Sequence, residues 1–147
     1  MQKILVIHGP NLNLLGRRER AVYGRVTLSE IDRSLKRLGR KEKVTVECVQ
    51  SNHEGEIVER LQQAERNYAA VVLNPAGFTH TSVAIRDAVA SIRIPVIEVH
   101  LSNIQAREEF RKHSFISPVA RGVVFGFGQE GYRLGLRGAI ALCRKKK

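Results

Sequence analysis

The stretch AAVVLNPAGFTHTSVAIRDAV, residues 69–89, contains a strand, a polar connection and the start of a helix. Its first part, AAVVLNP (69–75), is a nearly continuous apolar, β-branched block, which suits a strand covered on both faces. Beyond it, Ala84, Ile85, Ala88, Val89 and Ile92 recur at i, i+1, i+4, i+5 and i+8, the stripe of an amphipathic helix. Thr79, Thr81 or Ser82 is placed to cap that helix. Asn74 and His80 fall in the connection, at the strand's carboxyl end.

The same unit recurs along the chain. Apolar runs occupy KILVIHG (3–9), KVTVECV (43–49), IPVIEVH (94–100) and RGVVFGFG (121–128). TLSEIDRSLKRLGRK carries Leu28, Ile31, Leu35 and Leu38 on one stripe, with Thr27 and Glu30 as a capping box and Gly39 as the expected C-terminal cap. EGEIVERLQQAERN repeats the pattern with Ile57, Val58, Leu61 and Ala64. A short helix is expected over SNIQAREEFRK and a last one through EGYRLGLRGAIALCRK. Strand alternating with helix predicts an α/β fold, a flavodoxin-like three-layer sandwich with a five-stranded parallel sheet. The chain is read as a single domain over residues 1–147, too short for an eightfold barrel of about 250 residues.

The composition, 43% hydrophobic and 27% charged, is that of a folded globular protein. Cys48 and Cys143 form no CxxC pair, and two reduced thiols fit a cytoplasmic protein. The N-terminal apolar run is too short for a signal peptide, and no run approaches the ~20 residues of a membrane span. Net charge is +11, to which the basic tail at 144–147 contributes four positives. That charge invites a polyanion or a small anionic substrate. Aromatics are only 5%, with no tryptophan, which argues against a stacking platform for single-stranded nucleic acid.

In such a sheet ligands bind outside the carboxyl ends of the strands. The connections there are HGPNLNLLG, QSNHEGE, NPAGFTHTS and HLSN, supplying Asn11, Asn13, Asn52, His53, Asn74, His80, Ser82, His100, Ser102 and Asn103. Amides and imidazoles crowding one rim suit a polar, oxygen-rich ligand. Each has a plainer role: Asn11 and Asn13 as turn residues, His53 as a solvated loop residue. The histidines show no HxH, HxxxH or HExxH spacing and no convergent carboxylate, so no metal is expected.

Residues 16–25, GRRERAVYGR, set Arg17, Arg18, Arg20 and Arg25 around Tyr23 between two glycines. Their connection is about three times the usual length, and Gly16 and Gly24 could be the hinges of a lid. A free tyrosine, with a pKa of about 10, is a poor base at neutral pH. An arginine against a phenol oxygen favours the phenolate, which can remove a proton next to a ketone. The resulting enolate needs a donor such as Asn11, direct or through water, and a departing hydroxyl needs an acid such as His100. On these residues alone, a packed tyrosine among solvated arginines is the favoured reading.

The motifs GPNLNLLGRRERAVYG, QSNHEGEIVERL, NPAGFTHTSVAIRDA, PVIEVHLSNIQAREEFRKHS and GVVFGFGQEGYRLGLRG, spanning almost the whole chain in order, closely resemble the type II 3-dehydroquinate dehydratases of the shikimate pathway. The resemblance implies removal of water from 3-dehydroquinate to give 3-dehydroshikimate, without cofactor or metal. It implies Tyr23 as base, Arg18 against it, Asn11 holding the water that stabilises the enolate, and His100 as proton donor. Asn74 with the backbone of Leu101 and Ser102 would meet the substrate carboxylate, and His80 and Arg111 its ring hydroxyls. Asp87 would reach a neighbouring subunit's site, in a homododecamer built as a tetramer of trimers. His8, Arg20 and Phe78 depart from the residues common in that family.

The lysine-dependent type I mechanism fails on placement, because no lysine lies in the connections after the strands. A receiver domain would need clustered acids at the strand ends, and a nucleotide binder a phosphate loop; HGPNLNLLG is neither GxGxxG nor GxxxxGK[ST]. The remaining alternative is a non-catalytic flavodoxin-like module binding an anion or nucleic acid through its charge.

Overall fold

The structure is a computed structural model that describes residues 1–17 and 20–145. Five strands, β1 (Lys3–His8), β2 (Thr45–Gln50), β3 (Ala70–Asn74), β4 (Val96–His100) and β5 (Gly122–Phe125), form one parallel sheet in the order β2-β1-β3-β4-β5. Five α-helices accompany them: α1 (Arg20–Tyr23), α2 (Leu28–Lys41), α3 (Glu54–Asn67), α4 (Val83–Ser91) and α5 (Gln129–Lys145). This is the expected flavodoxin-like order, in which the chain changes direction across the sheet between β1 and β3. The blocks read as continuously apolar are β1, β3 and β4, the three interior strands. The edge strands β2 and β5 are only partly buried.

The period of two within each interior strand sorts its side chains between two cores. Ile4, Val6, Ala70, Val72, Ile97 and Val99 pack with Ile31, Leu35 and Leu38 of α2 and Leu136, Ala139 and Ile140 of α5. Leu5, Ile7, Val71, Leu73 and Val96 pack with Ile57, Leu61 and Ala64 of α3 and Ile85, Ala88 and Val89 of α4. For α2, α3 and α4 these follow the stripes that the helical spacing identified, except that Ala84 of α4 is exposed.

The caps follow the sequence in part. Thr27 accepts from the Glu30 backbone N–H at 3.2 Å, and Ser82 accepts from that of Ile85 at 2.9 Å, so Ser82 is the residue of the THTS run that caps α4. Gly39 is not the end of α2; the helix continues to Lys41. A Cβ on Gly39 would lie 2.6 Å from Val46 Cγ2 and 3.0 Å from the Val44 carbonyl oxygen, so the glycine lets α2 press against β2. The helix expected over SNIQAREEFRK is two separate 3-10 turns, Ile104–Ala106 and Glu109–Arg111, the first capped by the Asn103 side chain on the Gln105 N–H.

Gly39→Ala should therefore lower stability by about 1–3 kcal/mol through overpacking, despite the higher helix propensity of alanine. Urea unfolding at fixed protein concentration measures this; a stabilised variant would contradict the close approach.

Candidate active site

The three interior strands each end on a polar residue: His8 on β1, Asn74 on β3 and His100 on β4. Parity sends His8 and Asn74 to the side of α2 and α5, and Glu98 and His100 to the side of α3 and α4. A cleft open to solvent lies beyond these ends. Asn11, Tyr23, Asn74, His80, His100, Leu101, Ser102 and Arg111 all line it, as does Arg107. Eight residues proposed from sequence are thus brought to one place.

The floor is built by a close approach of two chain segments. Gly9 donates its N–H to the Asn74 carbonyl at 2.8 Å, and a Cβ on Gly9 would lie 2.6 Å from the Pro75 oxygen. Glycine is required at this crossing. The Asn74 side chain is 3% exposed; its Oδ1 accepts from the Ala76 N–H at 3.0 Å and its Nδ2 donates to the Tyr132 hydroxyl at 3.0 Å. Asn11 has φ 69°, a left-handed conformation that asparagine tolerates. Its N–H donates to Asn52 Oδ1 at 3.0 Å, and Gln50 Nε2 donates to the same oxygen at 3.1 Å. Asn52 thus braces the Asn11 turn. His53 is exposed and heads α3, the solvated role open to it from sequence.

His100 is oriented from behind. Its Nε2 lies 2.5 Å from Glu98 Oε2, and the fully buried Glu98 carboxylate also accepts from Ser114 Oγ at 3.1 Å and Ser117 Oγ at 2.8 Å. A lone buried carboxylate costs several kcal/mol; these bonds offset that cost and fix the imidazole with Nδ1 as its free ring nitrogen. Glu98 is invisible as a functional residue in IPVIEVH except as an acid inside an apolar block.

On the opposite wall, Arg107 Nη1 donates to the Tyr23 hydroxyl at 2.8 Å, with its guanidinium carbon 5.3 Å from the ring centroid. The same nitrogen lies 3.5 Å from Ser102 Oγ. Sequence reading assigned the arginine beside Tyr23 to Arg18 and passed over Arg107. Arg18 lies outside the described residues. The available signal for Arg107 was a cation four residues before Arg111, soon after β4. Arg111 reaches the cleft with its Nε 2.5 Å from Glu108 Oε2.

His80 donates through Nδ1 to the His113 carbonyl at 2.7 Å, which leaves Nε2 as its second site. Burial, followed by the positive charge of its neighbours, holds the His80 imidazole below its ordinary value. Asp87 does not line the cleft. It is exposed on α4, with its carboxylate 3.3 Å from Arg86 Nη1.

Among the described residues, His8, Asp32 and Cys48 bring three metal-binding atom types within 4.8 Å of one another, a convergence that their spacing along the chain conceals. Two of them are bonded to each other, His8 Nε2 lying 2.7 Å from Asp32 Oδ1, and the Asp32 carboxylate also faces the Cys48 thiol. Burial, with Asp32 second, pushes the Cys48 thiol far up, which opposes the thiolate a metal would need. No helix among the described residues is long and apolar enough to cross a membrane.

The sequence profile of dehydroquinase class II matches residues 2–140. A 3-dehydroquinate dehydratase from Desulforudis audaxviator is 57% identical over 99% of this chain and 97% of its own length. One from Pelotomaculum thermopropionicum is 59% identical over 95% of this chain and 97% of its own. The crystal structure of a type II dehydroquinase from Butyrivibrio crossotus superposes with a TM-score of 0.92 at 44% identity, covering 94% of this chain and 97% of that one.

Because His80 is held below the ordinary 6.5 of a histidine, unfolded chains take up this proton first as pH falls. Stability from this group is therefore full above about 6.5 and declines from there toward the lower folded midpoint. NMR titration of the His80 ring should give a midpoint below 6.5; a midpoint at or above it would contradict this burial.

Proposed function

The chain belongs to the class II dehydroquinase family, and we propose that it eliminates water from 3-dehydroquinate with Tyr23 as the base and His100 as the acid. The observation that carries this assignment is the Arg107–Tyr23 contact at 2.8 Å, on a cleft that His100 and Asn74 also line. A guanidinium on the phenol oxygen stabilises the phenolate and, staying protonated itself, does not compete for the proton. Arg18, which the family motif places against the same tyrosine, would add to that field.

Tyr23 takes the proton from C2, next to the C3 ketone, and the electron pair moves onto the ketone oxygen as an enolate. Asn11, which also lines the cleft, holds the water that donates to this oxygen. When the enolate collapses, the bond from C1 to its hydroxyl breaks and His100 supplies the proton with which that hydroxyl leaves as water. The conjugated enone of 3-dehydroshikimate results. Solvent exchange returns the proton from Tyr23 and restores that of His100, so no redox partner is required. Glu98 serves by holding the imidazole and balancing its charge.

The substrate is an anion, and binding follows from the donors available. Asn74 and the backbone of Leu101 and Ser102 take the carboxylate; His80 and Arg111 take the ring hydroxyls. The net charge of +11 draws the anion in without any nucleic-acid partner. Residues 16–25 act as the lid, supported by Gly16 (φ 88°) and Gly24 (φ 76°), two left-handed positions able to hinge it. The exposed position of Asp87 supports a role toward a second copy, within a dodecamer of four trimers in the cytoplasm.

Addition of 3-dehydroquinate should raise the ultraviolet absorbance of the conjugated product. Tyr23→Phe should abolish the rise while substrate still binds, and Arg107→Ala should lower kcat by about 10²–10³-fold. Near-normal turnover in Tyr23→Phe would remove the base from this scheme. Glu98→Gln should cost about 10²-fold in kcat by releasing the imidazole; full activity in that variant would leave His100 without its proposed orienting partner.

A further inference from the structure

Behind the cleft, a line of hydrogen bonds runs between four elements. Asp32 on α2 bonds His8 on β1 at 2.7 Å; His8 Nδ1 lies 2.8 Å from the hydroxyl of Tyr132 on α5; and that hydroxyl accepts from Asn74 on β3 at 3.0 Å. His8 is fully buried, and Tyr132 is 1% exposed. We propose that His8 is a positioning residue, which aims the Tyr132 hydroxyl so that the Asn74 amide presents an N–H, not its oxygen, to the substrate carboxylate. This inference rests on the reading of Asn74 as the carboxylate contact.

Only one polarity satisfies every group along the line. The Asp32 carboxylate accepts, so His8 donates to it from Nε2–H. The neutral ring then has a bare lone pair on Nδ1, which takes the Tyr132 O–H. Burial drives the Tyr132 phenol far up, so the hydroxyl keeps its proton and has one to give. With that proton turned toward His8, the oxygen faces Asn74 with lone pairs only and accepts from Nδ2. Asn74 Oδ1 is engaged by the Ala76 N–H at 3.0 Å. The amide's second N–H is left for the cleft that Asn74 lines.

An imidazolium at position 8 would reverse the line. Both ring nitrogens would donate, and the Tyr132 proton would have to point at the Asn74 N–H or find no acceptor. Turning the amide over would relieve that clash but place a carbonyl oxygen toward an anion and break the bond to Ala76. Asp32 and the uncharged Cys48 face His8 from α2 and β2, Tyr132 from α5, and Asn74 from β3; Asp32 selects the Nε2–H form. An asparagine at position 8 could still offer a side-chain oxygen near the place of Nδ1. It would keep the acceptor for Tyr132 while losing the tie to Asp32.

The test is kcat and KM for 3-dehydroquinate in a small set of variants. His8→Leu and Tyr132→Phe should each raise KM about tenfold with kcat within about threefold, the size expected for one hydrogen bond to a charged group. The double variant should be no worse than Tyr132→Phe alone, because both break one line. His8→Asn should keep KM near that of the unaltered protein. An unchanged KM in His8→Leu, additive losses in the double variant, or His8→Asn as poor as His8→Leu would each overturn the proposal. Should His8→Leu fail to fold, an unchanged KM in Tyr132→Phe, which removes a single oxygen, overturns it equally. Asn74→Ala separates the two readings. A raised KM there with a normal His8→Leu defeats the line alone, whereas an unchanged KM in Asn74→Ala defeats both.

Discussion

The alternation of side chains along three buried parallel strands governs the strand-end residues of the cleft. Each interior strand is covered on both faces, so a one-residue slip would exchange its two cores and is strongly opposed. That fixes the final residues as firmly as the apolar ones. His8 and Asn74 are paired across β1 and β3 and share a face with Val6 and Val72. Glu98 and His100 share the opposite face with Val96. The cleft thus receives an amide from one layer and an imidazole from the other, each anchored by a buried partner on its own side. Mobile side chains would have to be ordered by the substrate at the expense of binding energy; these are ordered by folding.

Tyr23 is positioned differently. It comes from α1, a four-residue helix in the long connection between β1 and α2, and no strand parity reaches it. Its oxygen is met by Arg107, which stands between the two 3-10 turns after β4. Tyr23 is therefore set by contact between two connections while His100 is set by the sheet. Under the proposed function, such a division suits a site that opens for a ring-sized anion and closes before proton transfer, with the wall built from connections as the one that moves.

This division also explains what the sequence made legible. Parallel order, most of the helix stripes and the strand-end residues Asn74 and His100 follow from local periodicity, and the structure repeats them. Gly39 was misjudged because glycine serves helix ends and close helix–strand contacts equally well, and only the position of Val46 decides between them. Arg107 was missed because IQAREEFR has a helical spacing of charges. The break at Arg107 and Glu108 that turns a side chain over the cleft is a tertiary outcome. The line from Asp32 to Asn74 was illegible for the same reason: its partners are 24 to 124 residues apart in sequence. Glu98 was overlooked although it stands two residues before His100, because its apolar surroundings read only as a strand. The family motifs supplied Arg18 and Asp87, which local pattern could not.

Strain at the rim completes the account. Asn11 at φ 69° and Ala76 at φ 52° are non-glycine residues in the left-handed region, and both line the cleft. Such positions cost on the order of 1–3 kcal/mol each and persist only when surroundings over-determine them. Ala76 is tied by its N–H to Asn74 Oδ1, and Asn11 by its N–H to Asn52 Oδ1. In each case a side-chain amide holds a backbone turn in place at the edge of the cleft. In the proposed binding mode the Asn74 amide has both tasks at once, bracing the strained turn with its oxygen and facing the substrate carboxylate with its nitrogen. An aspartate there could brace the turn but would repel a carboxylate, and a serine would lack the second arm. The requirement for asparagine at position 74 thus arises jointly from backbone strain and from the charge of the substrate.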